Sequence, residues 1–174
     1  MDLLMIRHAI AERRAEFGQG PGAAGDELRP LSARGRERMR RAARGLERLV
    51  PEVDALATSP LVRARETAEI LAERIEGFPA PTLLDGLAPD GRWDDLLAWL
   101  REREPGARIA WVGHEPSLST SASRLLSGLD RSFLTFKKGG VAHLAFDGPP
   151  APGAADLLWL VTPGQLQRLG RGKA

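Results

Sequence analysis

The chain alternates short, nearly pure apolar runs with longer segments of helical period, and this alternation constrains the fold more than any other feature. Five runs predict strands: Leu3–Ile6, Val53–Thr58, Arg108–Val112, Val141–Phe146 and Leu157–Val161. The first, third and fifth runs are almost unbroken, which is typical of strands that are buried on both faces. Four segments predict helices: Ala33–Leu49, Ser59–Ile75, Trp93–Arg103 and a segment that opens at Pro116. We therefore expect an α/β fold, a three-layer α/β/α sandwich with a mostly parallel central sheet.

Local residues support the first two helices. The first should bury one apolar face, made of Met39, Ala42, Ala43, Leu46 and Leu49. Ser32 precedes this helix and is suited to be its N-cap. In the second helix, Ser59 is expected to be the N-cap and Pro60 the first helical residue.

The composition and length describe an ordinary globular protein rather than a nucleic-acid-binding one. The 174 residues are 43% hydrophobic and predict a single domain over residues 1–174. The net charge is only +2, and the pI of about 9.6 arises because the bases are nearly all arginine. Seven of these arginines lie between Arg34 and Arg48, interleaved with Glu37 and Glu47, around the apolar stripe of the first helix. This pattern predicts a solvated helix face and no nucleic-acid partner.

The sequence predicts neither cysteine-based chemistry nor a signal peptide or membrane span. The absence of cysteine excludes disulfides and thiolate chemistry. No basic leader with a long apolar run is evident, and no segment approaches the ~18 apolar residues that span a bilayer. We therefore expect a cytoplasmic protein with no membrane partner. The glycine-rich segment Gly18–Glu27 predicts a mobile surface loop between the first strand and the first helix.

Charged side chains follow three of the predicted strands, each at the point where the strand ends. Arg7 and His8 follow the first strand, and Arg63 lies in the first turn of the helix after the second. His114 follows the third strand. Ligands of open parallel sheets bind where the carboxyl ends of strands meet the next helices, so these four side chains can share one crevice.

Two arginines and two histidines suit a phosphoryl group better than a metal ion, because clustered arginines repel cations. The arginine fork makes paired, charge-assisted hydrogen bonds to phosphate oxygens. A neutral imidazole can attack phosphorus and form a phosphohistidine, which water then hydrolyses. A second, protonated histidine would stabilise the negative oxygens in the transition state. His143 has no charged neighbour in the sequence, and we interpret it as structural.

Several stretches resemble the motifs of the histidine phosphatase, or phosphoglycerate mutase-like, superfamily. They are "LLMIRHAIAE", "LRPLSARGRERM", "ATSPLVRARETAEIL", "WVGHEPSL" and "FKKGGVAHLAFD". Within that superfamily the short length and the "DELRPLS" entry resemble the SixA-like phosphohistidine phosphatases. The resemblance implies a phosphoglycerate mutase-like fold, with His8 as nucleophile and Arg7, Arg63 and His114 binding the phosphoryl group. It also implies a phosphohistidine-bearing protein as substrate and no metal or other cofactor.

Two departures from the family pattern bear on the chemistry. Ala9 stands where glycine often follows the nucleophile, so the turn there is expected to differ slightly. The glutamate general acid of many relatives is missing, and the nearest carboxylates are Asp85 and Asp90. Asp85 is the better placed candidate acid, although either aspartate also fits a solvated turn.

The missing glutamate favours a substrate with an easily displaced nitrogen, because an alkoxide leaving group needs an acid more. The alternatives are a phosphomonoesterase for a small phosphorylated metabolite, with Asp85 as acid, and a non-catalytic phospho-ligand binding module. A basic nucleic-acid-binding domain that works through the first helix is a remoter alternative.

Overall fold

The order of the strands brings three predicted strand ends to neighbouring positions. The computed structural model describes residues 1–15, 17 and 25–171, so residues 18–24 of the predicted glycine-rich loop lie outside the described part. The strands are β1 (Asp2–Arg7), β2 (Ala55–Thr58), β3 (Thr82–Leu83), β4 (Arg108–Gly113), β5 (Val141–Ala145) and β6 (Asp156–Val161). The helices are α1 (Ala33–Leu49), α2 (Val62–Arg74), α3 (Trp93–Arg101), α4 (Ser117–Ser127) and α5 (Pro163–Leu169). The sheet has the order β3-β2-β4-β1-β5-β6, in which the first four strands are parallel to one another, β5 pairs antiparallel with β1, and β6 pairs antiparallel with β5.

The two faces of β1 contact different helical layers, which explains its unbroken apolar run. Leu4 and Ile6 belong to the core shared with α1, α2 and α5. Leu3 and Met5 belong to the core shared with α3 and α4. The predicted three-layer α/β/α sandwich with a mostly parallel sheet is therefore confirmed.

The outer surface of α1 also agrees with its sequence pattern. Its buried residues include Met39, Ala42, Ala43 and Leu46, and none of its seven arginines is buried. Leu49, which we expected to face inward, is 40% exposed because the helix ends there. Among the described residues, no helix combines the length and apolar content that a membrane span requires.

Three elements differ from the sequence prediction. The prediction that the Leu157–Val161 run is buried on both faces is wrong, because β6 forms the edge of the sheet and none of its residues is buried. Strand β3 has only two residues, too few for a hydrophobic pattern. Helix α5 has seven residues and begins with a capping box between Thr162 and Gln165, a local signal that the sequence does carry.

The predicted cap of α2 is also wrong. Helix α2 begins at Val62 with Leu61 as its N-cap, not at Pro60 with Ser59 as the cap. The Ser59 N–H donates to the Val112 carbonyl at 3.0 Å and so continues the pairing of β2 with β4. The chain therefore stays extended at Ser59, and its hydroxyl accepts a hydrogen bond from the Leu61 N–H at 3.2 Å.

Candidate active site

The structure brings the four predicted site residues together at the carboxyl edge of the sheet. Arg7 ends β1 and His8 follows it, while His114 follows β4 and Arg63 is the second residue of α2, after β2. Strands β2, β4 and β1 are neighbours in the sheet, so these ends converge. The rings of His8 and His114 have centroids 5.0 Å apart. His8, Arg63 and His114 are buried, and Arg7 is half-buried.

His8 is held as a neutral imidazole with one ring nitrogen free for chemistry. Its Nδ1 lies 2.7 Å from the Ala9 carbonyl oxygen. Because a carbonyl only accepts, Nδ1 carries the hydrogen and the lone pair is on Nε2. Burial, and then the positive charges that His114, Arg63 and Arg7 can present, lower the pKa of His8 to about 3. His8 is therefore unprotonated, and nucleophilic, at neutral pH.

The turn after His8 is fixed by a threonine that sequence reasoning missed. The Ala9 N–H donates to Thr67 Oγ1 at 3.0 Å, and the Thr67 hydroxyl donates to the Arg63 carbonyl at 2.7 Å. Thr67 lies one helical turn after Arg63, and this spacing was the available signal. No non-glycine residue in the described ranges has positive φ, so Ala9 fits the turn without the conformation that glycine would favour.

Both site arginines keep donors that can serve an anion. Arg7 Nη1 donates to the Phe136 carbonyl at 2.6 Å, and Arg63 Nη1 donates to the Asp26 carbonyl at 2.8 Å. The Nε atoms of Arg7 and Arg63 are buried and have no hydrogen-bond partner among the described residues. The two guanidinium groups, each with a buried and unused Nε–H, can bind a phosphate or a similar oxyanion.

Asp26 is the second residue that sequence reasoning missed. Its carboxylate lies 2.8 Å from Arg29 Nε, 3.1 Å from Arg14 Nη2 and 3.2 Å from Arg63 Nη2. Hydrogen bonds from Arg14 and then Arg29 hold the pKa of Asp26 well below its usual range. The sequence signal was the spacing of Asp26 and Arg29, which is i,i+3 across a short 3-10 turn. Asp26 is thus an ionised carboxylate placed against the cationic site.

His114 is neutral in this structure, contrary to the expectation of a protonated second histidine. Burial, and then Arg63, lower its pKa to about 3, although Asp26 acts in the opposite direction. Its Nε2 lies 2.8 Å from the Ser59 hydroxyl oxygen. Lys138 lies in the same field: burial first, and then Arg7, lower its pKa. The site is therefore strongly cationic through its arginines and Lys138, with two neutral imidazoles between them.

The remaining candidates lie outside this cluster. Asp85 and Asp90 are exposed and line a surface groove of about 480 Å³ that Glu27 and Leu61 also line. The role of Asp85 as a general acid stays a prediction. His143 Nε2 lies 3.4 Å from Asp2 Oδ1, a charged partner that the sequence did not reveal.

Two comparisons with known protein sequences give matches. The profile of the histidine phosphatase superfamily (branch 1) matches residues 3–89. An uncharacterised protein of Picosynechococcus sp. is 40% identical over 146 residues, which cover 83% of this chain and 84% of that protein.

Two solved structures share the fold. The protein histidine phosphatase SixA complexed with tungstate is 24% identical, with a TM-score of 0.79 over 95% of this chain and 99% of that one. A mutant of the phosphoserine phosphatase from Entamoeba histolytica, in complex with phosphoserine, is 17% identical, with a TM-score of 0.69 over 93% and 97%. The profile match places the arginine–histidine pair of β1 and the arginine of α2 inside the matched region, and the chain belongs to the histidine phosphatase superfamily (branch 1).

Proposed function

We propose that the chain is a phosphatase that forms a phosphohistidine intermediate on His8 and acts on phosphohistidine in a protein. The observation that carries this proposal is the state of His8. Its Nδ1 is held by the Ala9 carbonyl, which leaves the lone pair on Nε2, and its pKa is about 3. Arg7 and Arg63 lie close enough to lower the pKa of His8, and each keeps a buried Nε–H without a partner among the described residues that suits the phosphoryl oxygens. A neutral imidazole beside an oxyanion site is the arrangement that nucleophilic attack on phosphorus needs.

The proposed reaction has two displacements at phosphorus. In the first, His8 Nε2 bonds to phosphorus while the bond from phosphorus to the substrate imidazole breaks, and the departing nitrogen takes a proton from solvent. Positive charge that develops on the His8 ring is stabilised through its Nδ1–H bond to the Ala9 carbonyl. In the second, water attacks phosphorus, the electron pair of the phosphorus–Nε2 bond returns to His8, and inorganic phosphate leaves. Arg7, Arg63 and His114 hold the phosphoryl oxygens throughout.

The carboxylates near the site favour a nitrogen leaving group. Asp26 lies against Arg63, but its depressed pKa keeps it ionised, so it has no proton to donate at neutral pH. Asp85 is exposed and lies in a groove open to solvent. A phosphoramidate nitrogen leaves readily once it is protonated, whereas an alkoxide needs a positioned acid. A phosphohistidine that projects from another protein matches these requirements better than a phosphomonoester does.

A substrate panel tests the proposal. The purified chain is offered a phosphohistidine-bearing protein, phosphoserine and a sugar phosphate, each with a metal chelator present. We expect the fastest phosphate release from phosphohistidine and no effect of the chelator. Faster release from phosphoserine or the sugar phosphate would favour the metabolite phosphatase, and phosphate binding without any release would favour a binding module.

Two histidine variants test the nucleophile. We expect His8→Ala to lower kcat by about a thousandfold or more, as loss of a nucleophile does. His143→Ala is the matched control, because it removes the third histidine of the chain, which is buried near Asp2 outside the site. Full activity of His8→Ala would refute the covalent mechanism.

Replacing Asp85 distinguishes a phosphohistidine phosphatase from a phosphomonoesterase that uses Asp85 as its acid. Asp85→Asn should leave phosphohistidine hydrolysis within about twofold of wild type, because that leaving group does not depend on a carboxylic acid. A loss of a hundredfold or so on a phosphomonoester alone would assign Asp85 the acid role.

A further inference from the structure

A buried hydroxyl connects two strand ends of the site. Ser59 follows β2 and is fully buried, and its Oγ lies 2.8 Å from His114 Nε2. The Leu61 N–H donates to the same oxygen at 3.2 Å. His114 is itself 2% exposed, and its Nδ1 is buried with no hydrogen-bond partner among the described residues.

The number of available hydrogens and lone pairs decides whether Ser59 or His114 is the donor in their hydrogen bond. A hydroxyl has one hydrogen to donate, and the Leu61 N–H already occupies one of its two lone pairs. Within the described residues, His114 Nε2 lies within hydrogen-bond distance of the Ser59 hydroxyl and can accept its hydrogen. If Nε2–H donated instead, the hydroxyl hydrogen would be buried without an acceptor, which costs free energy. The hydroxyl therefore donates to Nε2, and a neutral His114 carries its own hydrogen on Nδ1.

We infer that Ser59 is a positioning residue that sets His114 in the Nδ1–H tautomer, so that His114 offers a neutral N–H donor to the phosphoryl group. This inference rests on the proposed function for the identity of the group that is bound. Nδ1 is the His114 ring nitrogen that is buried without a partner among the described residues, and the His8 ring that would attack phosphorus is 5.0 Å away, centroid to centroid. A donor set in advance needs no rearrangement when charge develops on the phosphoryl oxygens.

The surroundings of His114 favour this neutral donor over an imidazolium. Arg63, Arg29 and Arg7 disfavour a further positive charge there, and Asp26 acts in the opposite direction. His8 lies beside it and titrates in the same field. An imidazolium would also donate from Nε2, which would leave the Ser59 hydrogen without an acceptor. Charge thus favours the neutral ring, and the hydrogen bond with Ser59 selects its Nδ1–H tautomer.

Nuclear magnetic resonance of the ring nitrogens tests the tautomer directly in the full chain. The chain has three histidines, so spectra of His8→Gln and His143→Gln variants assign the signals of His114. Long-range proton–nitrogen correlations at pH 7 should show Nδ1 protonated and Nε2 unprotonated in the wild type. A proton on Nε2, or on both nitrogens, would overturn the inference, whether or not the protein hydrolyses anything.

Variants at Ser59 test the link to activity. Ser59→Ala should lose the single tautomer and lower kcat/KM by about 10- to 100-fold, somewhat less than loss of a whole oxyanion donor. Ser59→Thr keeps a hydroxyl and should restore both the tautomer and most of the activity. Ser123→Ala is the matched control, because Ser123 is also a fully buried hydroxyl that accepts one backbone N–H, from Phe133, away from the site.

A failure of the inference about Ser59 can be distinguished from a failure of the proposed function. A Ser59→Ala variant that keeps the Nδ1–H tautomer in full refutes the role of Ser59. A wild-type protein with that tautomer that binds inorganic phosphate and releases none from any substrate refutes the proposed function and leaves the tautomer assignment standing. If Ser59→Ala lowers activity no more than Ser123→Ala does, the positioning role is also refuted.

Discussion

Mild acid should destabilise this protein, because two buried histidines stay neutral in the folded state and take up protons on unfolding. The pKa values of His8 and His114 fall from 6.5 to about 3 on folding, in both cases mainly through burial. A basic group with a depressed folded pKa binds more protons in the unfolded chain, so stability rises with pH between the two values. Such a histidine therefore does not lower the free energy of unfolding above its pKa in the unfolded chain, which is 6.5. It lowers that free energy increasingly as the pH falls below 6.5.

The size of the effect between pH 7 and pH 5 depends almost entirely on the unfolded pKa. Both histidines are still neutral in the fold at pH 5, since their folded values lie well below it. An unfolded histidine with a pKa of 6.5 then favours unfolding by about 2 kcal/mol at pH 5, against about 0.2 kcal/mol at pH 7. The two together should lower the free energy of unfolding by about 4 kcal/mol. His143 adds in the same direction, because burial also lowers its pKa.

Urea unfolding at pH 7 and pH 5 measures this difference, with the wild type compared with His8→Gln, His114→Gln and the double variant. Each single variant should lose about half of the pH effect that the pair contributes, and the double variant should keep only the part due to His143. The depressed pKa of Asp26 does not interfere, because its contribution is lost only as the pH falls through values lower than those of the assay. An equal pH effect in the wild type and the double variant would refute the neutral, buried state of the two histidines.

Three further substitutions test the site and the packing around it. Arg63→Lys should lower kcat/KM by about a hundredfold, because lysine lacks the planar fork that binds two phosphoryl oxygens; a change below threefold would contradict this role. Asp26→Asn removes the carboxylate bound to Arg63, so titration calorimetry should show that inorganic phosphate binds about tenfold more tightly. Weaker binding of phosphate would mean that Asp26 serves mainly to order the arginines. Gly45→Ala would drive a methyl group into the Leu166 carbonyl of α5, and we expect about 2 kcal/mol of destabilisation by urea unfolding. Its kcat should stay at the wild-type value, and an unchanged stability would show that α5 can shift freely.

Much of the fold could be predicted because the pattern is local. Leu3 to Ile6 alternate between two helical layers, and such a strand must be apolar at every position. The same pattern failed for Leu157–Val161, since an apolar run does not reveal whether a second strand lies beside it. Strand β6 has a partner on one side, β5, and forms the edge of the sheet.

Candidate site residues at strand ends could be predicted, whereas those that join one element to another could not. Arg7 ends β1, and His8 and His114 follow β1 and β4, whose carboxyl ends meet at one edge of the sheet. Thr67 and Asp26 act on residues of other segments, Ala9 and Arg63, and no spacing in the sequence states those distances.

By itself the sequence predicted the layered α/β architecture and the places of Arg7, His8, Arg63 and His114 at strand ends, because hydrophobic periodicity and position along the chain are properties of the sequence. The tertiary structure alone decided the protonation of that site. It buries both histidines among arginines, which makes His114 neutral where the sequence suggested a cation. It also places Ser59 against the His114 ring, although the sequence suggested that Ser59 caps a helix. The protonation and the tautomer of a histidine depend on how deeply its ring is buried and on which group donates in each of its hydrogen bonds. Both properties arise only when the chain is packed into its tertiary structure.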